Sequence, residues 1–80
     1  MYSTRVCPYC RLAEALLARK GVAVEKILVD DDPVRRNEMI QRTGRKTVPQ
    51  IFIGARHVGG YTDLAELEHR GELDALLAQP

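Results

Sequence analysis

The sequence predicts an α/β fold in which helices alternate with strands and pack on a mixed sheet. Three observations carry that expectation. Proline follows a residue able to cap a helix at Cys7-Pro8 and at Asp32-Pro33, and proline suits the first helical position because its missing N–H has no partner there anyway. Glycines at Gly21 and Gly44 stand where those helices would stop. Between and after them lie runs rich in β-branched residues, Ile27-Leu28-Val29 and Val48–Ile53. At 80 residues and 45% hydrophobic composition, residues 1–80 are expected to form one domain with a modest core and little stability to spare.

The elements follow in order. Met1–Val6 reads as a first strand, short but containing Tyr2, Thr4 and Val6. From Cys10 to Lys20 the residues are good helix formers, with Ala13, Leu16, Leu17 and Lys20 at helical spacing. Arg19 and Lys20 suit the negative end of the helix dipole. Val22–Asp30 reads as a second strand, its apolar run pointing to a parallel strand buried on both faces. Strand, helix and strand then make a right-handed βαβ unit. Asp32 caps a second helix that Gly44 ends. Val48–Ile53 and His57–Gly59 are a third and a fourth strand, and the short Gly54-Ala55-Arg56 turn makes them an antiparallel hairpin. Thr62 or Asp63 caps a last helix carrying Leu64 and Leu67. Gly71 interrupts that helix, and Leu73, Leu76 and Leu77 continue its apolar face. The expected order is β-α-β-α-β-β-α, a sandwich on a four-stranded sheet in which the first strand lies between the second and the third.

Composition narrows the function classes. A net charge of +1 argues against a nucleic-acid binder driven by phosphate contacts. Acids and bases interleave apart from Asp30–Asp32, so there is no polybasic membrane patch, and no apolar run approaches the ~20 residues of a membrane-spanning helix. No signal peptide precedes the cysteines. The chain reads as soluble and cytoplasmic, a compartment in which a permanent disulfide is unusual.

Cys7 and Cys10 are the only cysteines. The predicted layout puts Cys7 at the N-cap of the first helix, where unpaired N–H groups and the positive end of the dipole favour thiolate. Lowering a thiol pKa from about 8.5 to about 5 raises the thiolate share at pH 7 from roughly 3% to roughly 99%. Cys10 falls one turn further on the same side, nearer the core, with its sulfur in reach of the first. A static staple closing so small a loop would constrain the unfolded chain little. A zinc site needs four ligands, and His57 and His69 lack the spacing to supply two of them. Redox exchange, with one thiol attacking and the other resolving, carries the most weight, and no metal site is expected.

The stretches CPYC, TVPQIFI at Thr47–Ile53 and GGYTDL at Gly59–Leu64 together resemble the glutaredoxins, over essentially the whole chain and most closely the small bacterial dithiol members. The resemblance implies a thioredoxin-like fold and glutathione-dependent reduction of disulfides and of protein–glutathione mixed disulfides. It implies that Pro49 is cis and faces the cysteines, with Thr47 and Val48 beside it and the Val48 backbone free to pair with the cysteinyl part of glutathione. Gly60, Tyr61 and Thr62 then form a carboxylate site at a helix N-terminus for the γ-glutamyl end, with Asp63 meeting its ammonium. Arg36 stands where the family commonly places a basic or amide residue toward the glycine carboxylate, and Tyr9 lines the groove. Many relatives carry Lys three residues before the first cysteine. Here that place is Thr4; Arg5, one step nearer the cysteine, is the candidate to serve instead, although alternation along an extended strand would turn it to the other face.

The leading reading is thus a dithiol glutaredoxin with glutathione as co-substrate and no permanently bound cofactor. It is expected to be monomeric, with no nucleic-acid or membrane partner. Its clients would be disulfide-containing or glutathionylated proteins, ribonucleotide reductase among the candidates. Two alternatives stand beside it. The GGYTD carboxylate site argues against a thioredoxin-type donor reduced by a flavoprotein reductase. Pro8 weighs against a scaffold in which two subunits share a glutathione-ligated [2Fe–2S] cluster, because relatives of that kind usually lack the second cysteine or replace this proline.

Overall fold

The structure, a computed structural model, describes residues 1–78. The elements are β1 (Tyr2–Ser3), α1 (Pro8–Arg19), β2 (Ile27–Leu28), α2 (Pro33–Thr43), β3 (Ile51–Ile53), β4 (Arg56–Gly59), α3 (Tyr61–His69) and α4 (Leu73–Ala78). The two helix starts read from the sequence hold. Cys7 is the N-cap of α1 with Pro8 at its first position, and the Asp32 side chain caps α2 by accepting from the Arg35 N–H at 3.0 Å. Gly44 ends α2 in the left-handed region at φ 71°.

The sheet departs from the expectation of one continuous four-stranded ladder. β1 pairs in parallel with β2, β3 pairs antiparallel with β4, and one antiparallel bridge, Tyr2 to Gln50, joins the two ladders. The Tyr2 N–H donates to the Gln50 carbonyl at 2.9 Å and the Gln50 N–H donates to the Tyr2 carbonyl at 3.2 Å. The spatial order is therefore β2, β1, β3, β4, with β1 inside as expected.

Both early strands are shorter than Met1–Val6 and Val22–Asp30. After Ser3 the chain bends through Arg5 and Val6 to deliver Cys7 to its helix. Among the described residues β2 has only β1 to pair with, so its ladder is as short as its neighbour's. Nor is β2 buried on both faces: Ile27 is half-buried and Leu28 is 44% exposed, while Val29, just past its end, is 1% exposed. It is the edge strand of its pair. The last helix starts at Tyr61 with Gly60 as N-cap, instead of at Thr62 or Asp63. It is two helices, with Gly71 at φ 72° between them.

Apolar burial falls into two layers. Ala13, Leu16 and Leu17 of α1 pack with Ile51, Leu64 and Leu73, and on the other side Tyr2, Val29 and Met39 pack with Ile40 and Phe52. Tyr2 is 1% exposed. Its hydroxyl donates to Glu38 at 2.6 Å and accepts from Arg42 at 2.8 Å, so burying the ring strands no polar group. These layers fix α1 against β3 and α3, which sets where the cysteines stand.

Candidate active site

Cys7 and Cys10 are joined by a disulfide, with Cα atoms 5.2 Å apart. Both are buried. The Cys7 sulfur accepts the Cys10 backbone N–H at 3.1 Å. This contact gives the expected cap effect a definite donor, since an N–H of the first helical turn points at the sulfur. With the bond opened, the same N–H would stabilise negative charge on Cys7.

Beside the disulfide lies an open groove of about 260 Å³. Thr47–Gln50 form one wall and Gly60–Asp63 the other, with Tyr9 and Arg45 at the rim. The Val48–Pro49 peptide bond is cis. The Val48 N–H and C=O have no hydrogen-bond partner among the described residues. Tyr9 is exposed and its ring meets Tyr61 across the groove, with centroids 6.2 Å apart. Eight residues read from the sequence thus converge here, Tyr9, Thr47, Val48, Pro49, Gly60, Tyr61, Thr62 and Asp63, and Tyr9, between Cys7 and Cys10 in the chain, ties the groove to the start of α1.

Asp63 is the charged anchor. Its Oδ2 accepts the Gly60 N–H at 2.9 Å and meets the Arg45 guanidinium at 3.3 Å. It therefore caps α3 from its third position, reaching back to a glycine N-cap that has no side chain of its own. The Gly60 N–H, with Arg45 adding to it, holds the Asp63 carboxyl below the ordinary aspartate range against partial burial. Gly59 makes room for this: its φ is 119°, and a Cβ there would collide with the Asp63 carboxylate.

Three placements were not legible. Arg36 is not among the groove-lining residues; its guanidinium donates to the Lys46 carbonyl at 3.2 Å. Arg45 lines the groove instead, and no motif flagged it. Gln50 is 1% exposed, and its amide nitrogen donates to the Thr47 carbonyl at 3.0 Å. That leaves its oxygen facing His57 Nε2 at 2.8 Å, so Nε2 is the protonated nitrogen of that ring. Burial, and then the Arg45 charge, lower the His57 pKa, favouring a neutral ring. Gln50 thus ties the Thr47 turn to β4. Arg5 does not reach the groove: its guanidinium pairs with Asp31 and lines the opposite side of the disulfide. Among the described residues no cluster of three or more potential metal ligands occurs, and no helix is long and apolar enough to cross a membrane.

The glutaredoxin family model matches residues 1–58. The chain is 52% identical over 77 residues to glutaredoxin 3 of Escherichia coli, covering 96% of this chain and 93% of that one. Among solved structures, glutaredoxin from Brucella melitensis is 54% identical with a TM-score of 0.83, covering 95% of this chain and 83% of that one. A buckwheat glutaredoxin–glutathione complex is 30% identical with a TM-score of 0.87, covering 95% and 72%. The thioredoxin-like architecture expected from the sequence is the one observed.

Proposed function

The chain belongs to the glutaredoxin family, a thiol–disulfide oxidoreductase family, and from that premise we propose that it is a glutathione-dependent dithiol enzyme reducing protein disulfides and glutathione mixed disulfides. The observation that carries the reading is the bonded Cys7–Cys10 pair at the N-terminus of α1, next to a groove walled by Thr47–Pro49 and Gly60–Asp63. In this reading the Cys7 thiolate attacks a disulfide sulfur of the client, and the client's other thiol leaves with a proton. Cys10 then attacks Cys7, closing the bond seen here and releasing the second client thiol. Two glutathiones in turn reopen it, returning the dithiol and leaving oxidised glutathione. Potentials of about −200 to −230 mV for such proteins allow the glutathione pool to drive the cycle.

Each groove residue has a part. The free Val48 backbone pairs with the cysteinyl amide of glutathione, which holds the reacting sulfur against Cys7. The N–H groups at the start of α3 take the γ-glutamyl carboxylate, and Asp63 takes the ammonium. Thr47, Tyr9, Tyr61 and Thr62 shape the walls. Arg36 reaches the glycine carboxylate from the outer rim, giving up its contact with Lys46. The reading extends to residues 1–80 as one monomeric domain working in the cytoplasm, with glutathionylated or disulfide-bearing proteins, ribonucleotide reductase among them, as clients. A turnover assay on a small glutathione mixed disulfide, coupled to glutathione reductase and NADPH and run beside thioredoxin reductase, tests it. Turnover with glutathione alone is expected; turnover only with thioredoxin reductase would reject glutathione dependence.

A further inference from the structure

The function proposed above uses one side of the disulfide. On the other side, α1 and β2 enclose a second cleft of about 440 Å³, and Cys7 and Cys10 both line it. This is the open edge of the sheet. The Ile27 and Val29 N–H groups donate inward, to Met1 and Ser3, each at 2.9 Å. Alternation along a strand then turns the N–H and C=O of Leu28 outward. The Leu28 side chain also lines the cleft. An unpaired strand edge with an apolar side chain beside it is a receptor for another extended chain.

The charges give the cleft a preference. Arg5, Arg11 and Lys26 line it against a single carboxylate, Glu14. Arg5 is paired with Asp31 and receives Asp30 on its backbone N–H, so that end is neutralised. Lys26 meets Glu14 at 3.2 Å. Arg11, next to Cys10 in the chain and exposed, meets no carboxylate among the described residues. The unmet positive charge therefore sits at the α1 end, beside the sulfurs.

We infer that this cleft docks the polypeptide client: an extended segment flanking its reactive cysteine, carrying Asp or Glu toward Arg11 and an apolar residue toward Leu28. The inference rests on the thiol–disulfide reading proposed above, because a polypeptide client disulfide is what brings such a segment to Cys7. It gives the enzyme separate places for its two substrates, glutathione on the Pro49 side and the client chain on the β2 side. Complementary charge at such a site raises encounter rate and selects partners.

The test uses the full chain, glutathione as reductant, and two synthetic disulfide peptides that differ only in Glu or Lys beside the cysteine. The acidic peptide should show about tenfold higher kcat/KM, with the gap shrinking as salt is added. Arg11→Gln should lower kcat/KM for the acidic peptide about fivefold and leave the small glutathione mixed disulfide unchanged. That unchanged rate shows that fold and sulfur chemistry are intact. Equal kcat/KM for the two peptides would overturn the docking site, as would Arg11→Gln slowing the small substrate as much as the peptide. Failure of the small mixed disulfide to turn over in the unaltered protein would instead reject the dithiol glutathione reading, and the docking site with it.

Discussion

On the Pro49 side of the disulfide the walls are largely backbone: the free Val48 amide and carbonyl, the cis peptide, and the N-terminus of α3 capped by Asp63. On the β2 side they are mostly side chains, long ones at Arg11 and Lys26 and an exposed Leu28. Backbone held by buried contacts such as Gln50 to Thr47 has one shape. It suits a ligand that never changes, because the ordering cost is met in folding and not at each binding event. Long side chains keep their rotamer freedom, match charge more than shape, and lose some of that freedom on contact. They suit partners that differ from one another. The two clefts have no lining residue in common, which gives every substitution outside the cysteines a side to which its effect should be confined.

The largest effect should come from the shared element. Cys7→Ser should abolish turnover of both the small mixed disulfide and peptide disulfides, because the nucleophile is lost to both sides. Cys10→Ser should keep the mixed-disulfide reaction and lose most peptide reduction, since only the client thiol needs the resolving step. Iodoacetamide alkylation of the reduced protein against pH should show Cys7 reacting well below pH 7. Equal activity of the two variants on the mixed disulfide would end the assignment of attacker and resolver.

Next comes the charged anchor of the groove. Asp63→Asn removes the charge proposed to meet the γ-glutamyl ammonium but leaves an oxygen to accept the Gly60 N–H. A well-formed charge-assisted contact is worth about 1.5–3 kcal/mol, so kcat/KM for glutathione should fall about ten- to a hundredfold. Asp63→Ala should lose as much and also the cap, at about 1 kcal/mol of stability. Thermal melts of the two variants separate these effects. The sign with pH follows from the depressed Asp63 pKa. Its contribution is complete above the unfolded aspartate value, ~3.9, and is lost only as pH falls through the lower folded value. Glutathione KM should therefore show no Asp63 step between pH 5 and 8 (~3.9 being the ordinary value).

The uneven legibility of the two sides has the same physical root. Helix starts were readable because caps are local: Cys7-Pro8 and Asp32-Pro33 act within one turn. The groove was readable as three separated stretches because their resemblance to a known family supplied the tertiary arrangement. Strand lengths were not, since Val22–Asp30 has strand-like residues but a strand ends where its partner ends, and β1 is two residues long. Leu28 looked like core for the same reason; only the absence of a second neighbour makes it an edge. The cap of α3 was misplaced because Gly60 carries no side chain to announce it, and Asp63 caps from within the helix. Arg45 had no signal at all: it reaches Asp63, 18 residues on, only through the turn that follows Gly44.

Arg45 supplies a smaller prediction. Its guanidinium shares Oδ2 of Asp63 with the Gly60 N–H, while Oδ1 has no partner among the described residues. An incoming ammonium can take Oδ1 without displacing Arg45, and glutathione carries two carboxylates against one ammonium. Arg45→Met should therefore weaken glutathione binding, raising KM about two- to fivefold with kcat unchanged, the scale of an exposed ion pair. Peptide kcat/KM measured at saturating glutathione should not move. A fall in glutathione KM would show that Arg45 competes for Asp63 instead of assisting.

The smallest effect is expected at Arg36. Its Nη2 holds the Lys46 carbonyl at 3.2 Å, and Lys46 directly precedes the Thr47–Pro49 wall. To reach a glycine carboxylate the guanidinium must release that carbonyl, so the gain on binding is a difference between two exposed contacts, each worth about 1 kcal/mol or less. Arg36→Ala should raise glutathione KM less than about threefold and leave the peptide reaction alone. Salt distinguishes the two roles open to this residue. If Arg36 meets the carboxylate, the modest KM difference between parent and variant should disappear at high ionic strength, because an exposed ion pair is screened. If Arg36 only braces Lys46, the difference should persist in salt, because a hydrogen bond to a neutral carbonyl is far less screened. A loss above tenfold in either condition would make Arg36 a second charged anchor of the groove. The Pro49 side would then depend on a long, exposed side chain as much as the β2 side does, and the contrast between the two would fail.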